Sequence, residues 1–269
     1  MSQLPYQSHP DTAPGPIPST GRSRPVGARL VDARLAGLLY LVIIVFGLFS
    51  EVFVRARLTV PGDPVATAEN LRGAEALFRL GFVANLGYLL CEVVLVVVLY
   101  HLLRPVSRTV SMVAAAFRFG CVTISALNLL NMLAAIVVLD QSGRAGFGAG
   151  QPEALALLFL DLHRYGYALA LTFFALNCAA MAYLLVRSSH VPTSLGLLLG
   201  VAGLGYLVSS LAAFLAPGSG GTLLTLLLAP ALVAEVWLCL LLLIRGGGPE
   251  IWAEPPAVQR SPAVTRAAG

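Results

Sequence analysis

The stretch ALALTFFALNCAAMAYLLV (residues 168–186) contains no charged side chain. At a rise of ~1.5 Å per residue, a helix of about 20 such residues crosses the hydrocarbon core of a bilayer. Five further long apolar runs occur along the chain. The sequence therefore predicts an all-α fold, a polytopic transmembrane helical bundle with six spans.

The overall composition favours the same fold class. The 269 residues are 58% hydrophobic and only 11% charged, whereas soluble domains carry roughly 25% charged residues. All 17 basic residues are arginine, but they are scattered and the net charge is only +4, so nucleic acid is not a predicted partner. The four cysteines lie within apolar runs without C-x-x-C spacing, which indicates small buried residues rather than disulfides or zinc ligands.

Three regions are predicted along the chain. Residues 1–33 hold six prolines and predict a disordered tail, as does the composition of residues 246–269. Residues 34–245 form the predicted transmembrane domain. Its six spans are expected at about 34–54, 76–103, 110–139, 154–186, 192–215 and 222–244.

Turn signals separate the predicted spans. In VPGDPVAT (60–67), Asp63 is a predicted N-cap and Pro64 the first residue of a short interfacial helix that ends near Gly73. Three more prolines mark the ends of spans: Pro105, Pro152 and Pro192.

The arginines predict the orientation, because cytoplasmic loops carry an excess of basic residues. With the N-terminus inside, eight arginines lie near inner ends of spans: Arg22, Arg24, Arg29, Arg34, Arg104, Arg108, Arg187 and Arg245. Four lie near outer ends: Arg55, Arg57, Arg72 and Arg144. We therefore expect a multi-pass protein of the cytoplasmic (inner) membrane, with both termini in the cytoplasm and the lipid bilayer as its first partner.

Charged side chains inside the apolar runs are the candidate functional residues, since each costs a few kcal/mol in hydrocarbon unless it is paired or hydrated. Glu92, Arg118 and Glu235 lie roughly 12–16 Å from the inner ends of three spans, with Asn177 at a similar level. An arginine has five donors, so Arg118 is expected to bridge both carboxylates.

A second polar level is predicted near the outer ends. It contains Glu51, Arg79, Asp161, His163 and Arg164. Asn131 lies about 12 Å from the outer end of its span.

The third and fifth predicted spans carry further polar residues. Arg118, Ser125 and Asn128 are seven and three residues apart, which places them on one helical face linking the two levels. Tyr206, with two serines after it, forms a polar patch at middle depth in the fifth span.

The motif DLHR (161–164) divides between helix faces. Asp161 and His163 are two residues apart and point ~200° from each other, so they do not form a dyad. Asp161 and Arg164 are close enough to pair. His163 lies on another face, where Tyr167 is within reach and a helix-packing hydrogen bond is expected.

Several stretches together resemble the bacterial membrane proteins grouped as domain of unknown function 4386, over about residues 30–245. The matching stretches are ARLAGLLYLVIIVFGLFSEVFVR (33–55), VPGD (60–63), LFRLG (77–81), LYHLLRPVSRT (99–109), LNLLN (127–131), LFLDLHRYGY (158–167) and GLGYLVSS (203–210). The resemblance implies a polytopic inner-membrane protein and no activity, because that family is uncharacterised.

Small-solute or ion transport, or membrane sensing, is the function the sequence favours, with a small molecule or ion as ligand. Glu92, Arg118 and Glu235 would form an inner gate or proton-coupling site, while Asp161, Arg164 and Arg79 would line an outer vestibule. A water-filled cavity joining the two levels is the observation that distinguishes this hypothesis.

Two alternatives remain open. The first is an intramembrane enzyme acting on a lipid or peptide with His163 as base, although no G-x-S-x-G, H-E-x-x-H or D-x-D motif supports it. The second is a structural subunit of a membrane complex, in which the polar groups only hold helices together. His101 and His163 are predicted near opposite ends of their spans, so they cannot share a metal ion and no metal site is predicted. The sequence also predicts no catalytic residue and no cofactor, and it carries no signal for oligomeric state.

Overall fold

The computed structural model describes residues 26–141, 143, 146–188, 191–216 and 222–246, with side chains described from residue 33 onward and, in the last helix, from residue 229. Its elements are α1 (Val26–Leu48), a π-helical segment (Phe49–Arg55), α2 (Ala56–Leu58), α3 (Pro64–Gly73), α4 (Glu75–Leu103), α5 (Arg108–Asp140), α6 (Gln151–Arg187), α7 (Thr193–Leu215) and α8 (Thr222–Arg245). Helices cover all six predicted segments.

The six long helices form a closed up-and-down ring. Helix α1 packs against α4, and each following long helix packs against the next, until α8 returns to α1. We call the end where α4, α6 and α8 terminate the basic end, because Arg104, Arg187 and Arg245 lie there. At the opposite end, α3 packs on α6, and Arg72 of α3 donates to Glu153 at 2.7 Å.

A close backbone approach closes the ring between α1 and α8. A Cβ atom on Gly37 would lie 2.8 Å from the backbone nitrogen of Leu243, so any larger side chain would push the two helices apart. The thiol of Cys239 donates to the carbonyl oxygen of Gly37 at 3.3 Å. This cysteine is buried, as the sequence predicted.

Two buried apolar clusters lie toward the two ends of the ring. The cluster at the basic end includes Leu95, Leu184 and Leu242. The cluster at the opposite end includes Leu71 and Met132. The middle of the ring therefore lies between two well-packed layers.

The outward faces of the long helices are strongly apolar. Leu90, Leu127, Leu197 and Leu204 are each more than 60% exposed. Five described helical stretches are long and apolar enough to cross a membrane: Ala33–Leu58, Glu75–Leu103, Arg108–Asp140, Gln151–Arg187 and Thr193–Leu215. An apolar surface of this extent is typical of a protein whose surroundings are lipid.

The predicted turn signals act as helix caps. The Asp63 carboxylate accepts a hydrogen bond from the Ala66 backbone N–H at 2.9 Å, with Pro64 at the first helical position, and α3 ends at Gly73 as predicted. The Ser107 hydroxyl caps α5 by accepting from the Val110 N–H at 3.4 Å. These caps satisfy backbone donors that the first helical turn leaves free.

The first helix differs from the sequence prediction in two ways. A disordered tail was predicted up to residue 33, but α1 begins at Val26 because no proline interrupts the chain after Pro25. The π-helical segment Phe49–Arg55 was not predicted, since no proline or glycine lies within it. The other parts of the predicted tails, residues 1–25 and 247–269, lie outside the described residues.

Candidate functional site

A cavity of about 230 Å³ lies in the middle of the ring, between the two apolar clusters. The π-helical segment and each of the five following long helices contribute a polar side chain to its wall: Glu51, Glu92, Arg118, Tyr167, Tyr206 and Glu235. Asn85 and Glu92 both line it and lie seven residues apart on α4, which corresponds to about 10 Å along the helix axis. The cavity therefore joins the level of Arg118 to that of Glu51.

Arg118 of α5 and Glu92 of α4 form a buried, two-pronged ion pair. The Arg118 Nε donates to Glu92 Oε2 at 2.6 Å, and its Nη2 donates to Glu92 Oε1 at 2.9 Å. The two side chains are only 3% and 10% exposed, so each charge is compensated mainly by the other. The predicted pairing of these two residues is confirmed.

Two aromatic rings hold the Arg118 guanidinium in place. Its Cζ lies 5.1 Å from the centroid of the Tyr40 ring and 5.3 Å from that of Phe174. Its Nη1 also donates to the Tyr40 hydroxyl at 2.9 Å. Stacking and hydrogen bonds together use most of the surface of the guanidinium.

The predicted bridge from Arg118 to Glu235 is wrong. Glu235 accepts a hydrogen bond from the Tyr206 hydroxyl at 3.1 Å and forms no ion pair within the described part of the chain. Three N–H groups of the guanidinium donate to Glu92 and Tyr40 instead. Glu235 thus lines the cavity without a cationic partner.

The far side of the cavity is built around the π-helical segment. Glu51 accepts hydrogen bonds from Arg55, one of them from Nε at 2.8 Å. Ser50 accepts a hydrogen bond from Asn85 of α4 and donates to the carbonyl oxygen of Gly81 at 3.3 Å. Single-turn π insertions inside α-helices occur frequently at functional sites, because they redirect side chains that a regular helix would point elsewhere.

His163 joins α6 to α5 and does not line the cavity. Its Nδ1 lies 3.1 Å from the carbonyl oxygen of Asn128, while the Asn128 Nδ2 donates to the His163 carbonyl oxygen at 2.8 Å. Asn131 donates to Asn128 Oδ1 at 3.0 Å. The expectation of a helix-packing hydrogen bond is confirmed, but its partner is α5 rather than Tyr167.

Gly166 permits this close contact between α5 and α6. A Cβ atom at that position would lie 2.1 Å from Asn128 Oδ1, which is far inside contact distance. The face predicted from spacing is also present, because Arg118, Ser125 and Asn128 are all buried. Only Arg118 and Ser125 of this face reach the cavity.

Asn177 has a packing role. Its Nδ2 donates to the carbonyl oxygen of Ala114 at 2.9 Å, and its side chain is buried between α5 and α6. It lies outside the central cavity.

The remaining outer charges do not line the central cavity either. Arg79 pairs with Glu75 and with Asp140 at 2.6 and 2.9 Å. Asp161 and Arg164 form the predicted pair at 3.5 Å. These side chains are 43 to 51% exposed, because they lie on the outward surface, and the vestibule predicted from them is not part of the cavity.

Three aromatic residues of the site were not singled out from the sequence. Tyr40 and Phe174 hold Arg118, and Tyr88 lines the cavity. Tyr167 was expected beside His163, but it lines the cavity as well. An arginine in an apolar run requires partners, so the aromatic residues of the neighbouring runs could have been considered as cation–π partners of Arg118. Helix rotation decides which of them face Arg118, and no single helix's spacing encodes that rotation.

The residues considered for catalysis do not come together in one site. His163 is buried while Asp161 is half exposed, so no His–Asp dyad forms. Among the described residues, no group of three His, Cys, Asp or Glu side chains is placed to hold a metal ion. The cavity instead offers a carboxylate, phenolic hydroxyls and aromatic rings.

The chain belongs to the family described as "Domain of unknown function (DUF4386)", whose sequence profile matches residues 35–246. This match confirms the resemblance seen in the sequence. No curated protein and no solved structure matches the chain.

Proposed function

We propose that this protein is a multi-pass protein of the bacterial cytoplasmic membrane that binds a small solute or ion in its central cavity, for transport or for sensing. In this proposal all six long helices span the bilayer and both termini lie in the cytoplasm. The arginines at the basic end support this orientation, since short cytoplasmic loops are enriched in arginine.

One observation carries the proposal. Six polar side chains from different helical segments meet at one cavity, to whose wall all six long helices or their extensions contribute, while the outward faces are apolar. Ionisable groups inside membrane proteins characteristically face a bundle interior or a water-filled cavity and mark ligand or ion pathways. If the polar groups served only to hold the helices together, we would expect side chains to fill the space between them.

The cavity extends along the ring rather than lying at one level. It reaches from the Glu92–Arg118 pair to Glu51, beside the π-helical segment. Helix irregularities near the middle of a membrane are common where transporters bind their substrates. Pro230 interrupts the hydrogen bonding of α8 shortly before Glu235, so a second irregularity lies near the same wall.

Ligand-induced stabilisation tests this function. The protein is reconstituted in lipid nanodiscs, and its thermal unfolding is followed with a panel of inorganic cations, small amines, amino acids and small carboxylic acids. A ligand at 100 times its Kd stabilises the folded state by about 2.7 kcal/mol, which gives a shift of a few degrees. We expect at least one compound to stabilise the wild-type protein and to lose this effect in Glu235→Gln.

Glu75→Gln is the matched control, because Glu75 is an exposed carboxylate that pairs with Arg79 away from the cavity. The shift should persist in that variant. Two results would overturn the proposal: no compound stabilises the wild-type protein, or every stabilising compound acts equally on wild type and Glu235→Gln.

A further inference from the structure

We infer that the ligand of the central cavity is a small organic cation, an ammonium compound of compact size, with Glu235 as its counter-ion. This inference rests on the proposed function, since it names the ligand class for the same cavity. It follows from the balance of charges in the cavity wall, the available aromatic surface and the volume of the space.

The charge balance leaves one carboxylate without a charged partner. Glu92 is paired with Arg118, and Glu51 is paired with Arg55. Among the described residues of the wall, Glu235 is the carboxylate that forms no ion pair, and its single hydrogen bond comes from a neutral phenol. Burial alone disfavours the charged form of a carboxylate, and a cation beside Glu235 would stabilise that charged form.

Arg118 does not compete for an anionic ligand. Its side chain is only 3% exposed, and three of its five N–H groups donate to Glu92 and Tyr40. An anion entering the cavity would meet the unpaired Glu235 carboxylate beside a guanidinium whose charge Glu92 already compensates. The wall is therefore selective for positive charge.

Aromatic rings favour an organic cation over a hydrated metal ion. Tyr88, Tyr167, Phe174 and Tyr206 all line the cavity. The faces of aromatic rings attract ammonium groups, and quaternary ammonium ligands are recognised by cages of such rings. A small metal ion would require several oxygen ligands around it, and the described residues provide no cluster of that kind.

The volume limits the size of the ligand. A cavity of about 150 Å³ accommodates benzene, so a cavity of roughly 230 Å³ suits a molecule of about six to ten non-hydrogen atoms. This range includes small tertiary and quaternary amines.

A native cysteine provides the test, because Cys121 lines the same cavity. In nanodiscs, the wild-type protein is treated with 2-(trimethylammonium)ethyl methanethiosulfonate or with the anionic 2-sulfonatoethyl reagent, and modification of each cysteine is followed by mass spectrometry. The thiolate attacks the reagent, forms a disulfide and releases methanesulfinate. The cation-to-anion rate ratio is normalised to that of a simple thiol in solution.

We expect Cys121 to react about tenfold or more faster with the cationic reagent after normalisation, since one unpaired charge at short range shifts local concentrations by at least that factor. Glu235→Gln should lower this ratio toward one, and Glu75→Gln should leave it unchanged. Equal normalised rates in the wild-type protein would overturn the cation inference alone. Failure of both reagents to modify Cys121 would instead contradict the accessible cavity, and with it the proposed function.

Protection of Cys121 supplies a second readout that needs no variant. Tetramethylammonium chloride should slow the modification of Cys121, whereas sodium chloride at equal ionic strength should not. Tetrabutylammonium, which exceeds the cavity in size, should protect poorly. Equal effects of tetramethylammonium and sodium would contradict recognition of an organic cation.

Discussion

The Arg118 guanidinium and the Glu92 carboxylate meet through two hydrogen bonds, at 2.6 and 2.9 Å, inside a ring whose outer face is apolar. The planar fork of arginine matches the two oxygens of a carboxylate, so each group offsets the desolvation of the other. The pair fixes α5 against α4 and forms one wall of the cavity. Glu235 is left as the carboxylate of the cavity wall that forms no ion pair among the described residues.

Breaking this ion pair should destabilise the protein strongly. Arg118→Met leaves the Glu92 carboxylate buried without a partner, and the expected loss in the free energy of unfolding is about 3–5 kcal/mol. Adding Glu92→Gln to Arg118→Met removes the uncompensated charge, so the double variant should be more stable than Arg118→Met alone. Unfolding in nanodiscs or mild detergent measures both. A double variant less stable than Arg118→Met would show that the two side chains do not compensate each other.

The contact between α5 and α6 depends on glycine at position 166. Gly166→Ala places a Cβ atom 2.1 Å from Asn128 Oδ1, so Asn128 must move and its hydrogen bonds to α6 are lost. We expect a loss of roughly 1–3 kcal/mol, as in other overpacked interiors. Gly200→Ala is the control, because its Cβ atom would lie 3.6 Å from Ala182, an ordinary contact. Thermal unfolding that ranks Gly200→Ala as the more damaging change would be incompatible with this packing.

His163 should contribute to stability and not to ligand binding. His163→Phe removes the contact between Nδ1 and the Asn128 carbonyl oxygen, and hydrogen bonds between membrane helices contribute on average about 0.6 kcal/mol. The variant should unfold slightly earlier and keep the ligand-induced shift of the wild-type protein. Loss of that shift in a folded His163→Phe variant would place His163 in the binding machinery.

Asp63 should stabilise α3 locally. Asp63→Ala removes the acceptor for the Ala66 N–H, and loss of an N-cap costs about 1 kcal/mol. Hydrogen exchange should increase in the first turn of α3 and remain unchanged in α4 and α5. Glu69→Ala, at an exposed position of the same helix, serves as the control. Equal exchange in both variants would argue against the capping role.

The sequence predicted the helices well because their ends carry local signals. These signals are prolines, the Asp63 cap and the change from apolar to arginine-rich segments. Each acts within a few residues of the helix end, so it can be recognised from the local sequence alone. The Arg118–Glu92 pair was also predictable, since two opposite charges at one depth have few alternative partners in an apolar bundle.

The partner of Glu235 was not predictable in the same way. Whether Arg118 reaches α8 depends on the rotation of three helices and on the order of helices around the ring. Apolar residues cover both the buried and the outward faces here, so the usual contrast that reveals helix orientation is weak. The same limitation explains why Tyr40 and Phe174 were missed, and why Arg79 and Asp161 were assigned to a vestibule.

A cryo-electron microscopy map of the protein in a lipid nanodisc, with a bound antibody fragment as a marker, would show whether the centre of the ring is a polar cavity. We expect a ring in which α8 closes against α1, the Glu92–Arg118 pair in one wall, and ordered water or ligand density beside the Glu235 carboxylate and the Tyr206 hydroxyl. A ring centre filled by side chains, with Glu235 bonded directly to Arg118, would contradict it.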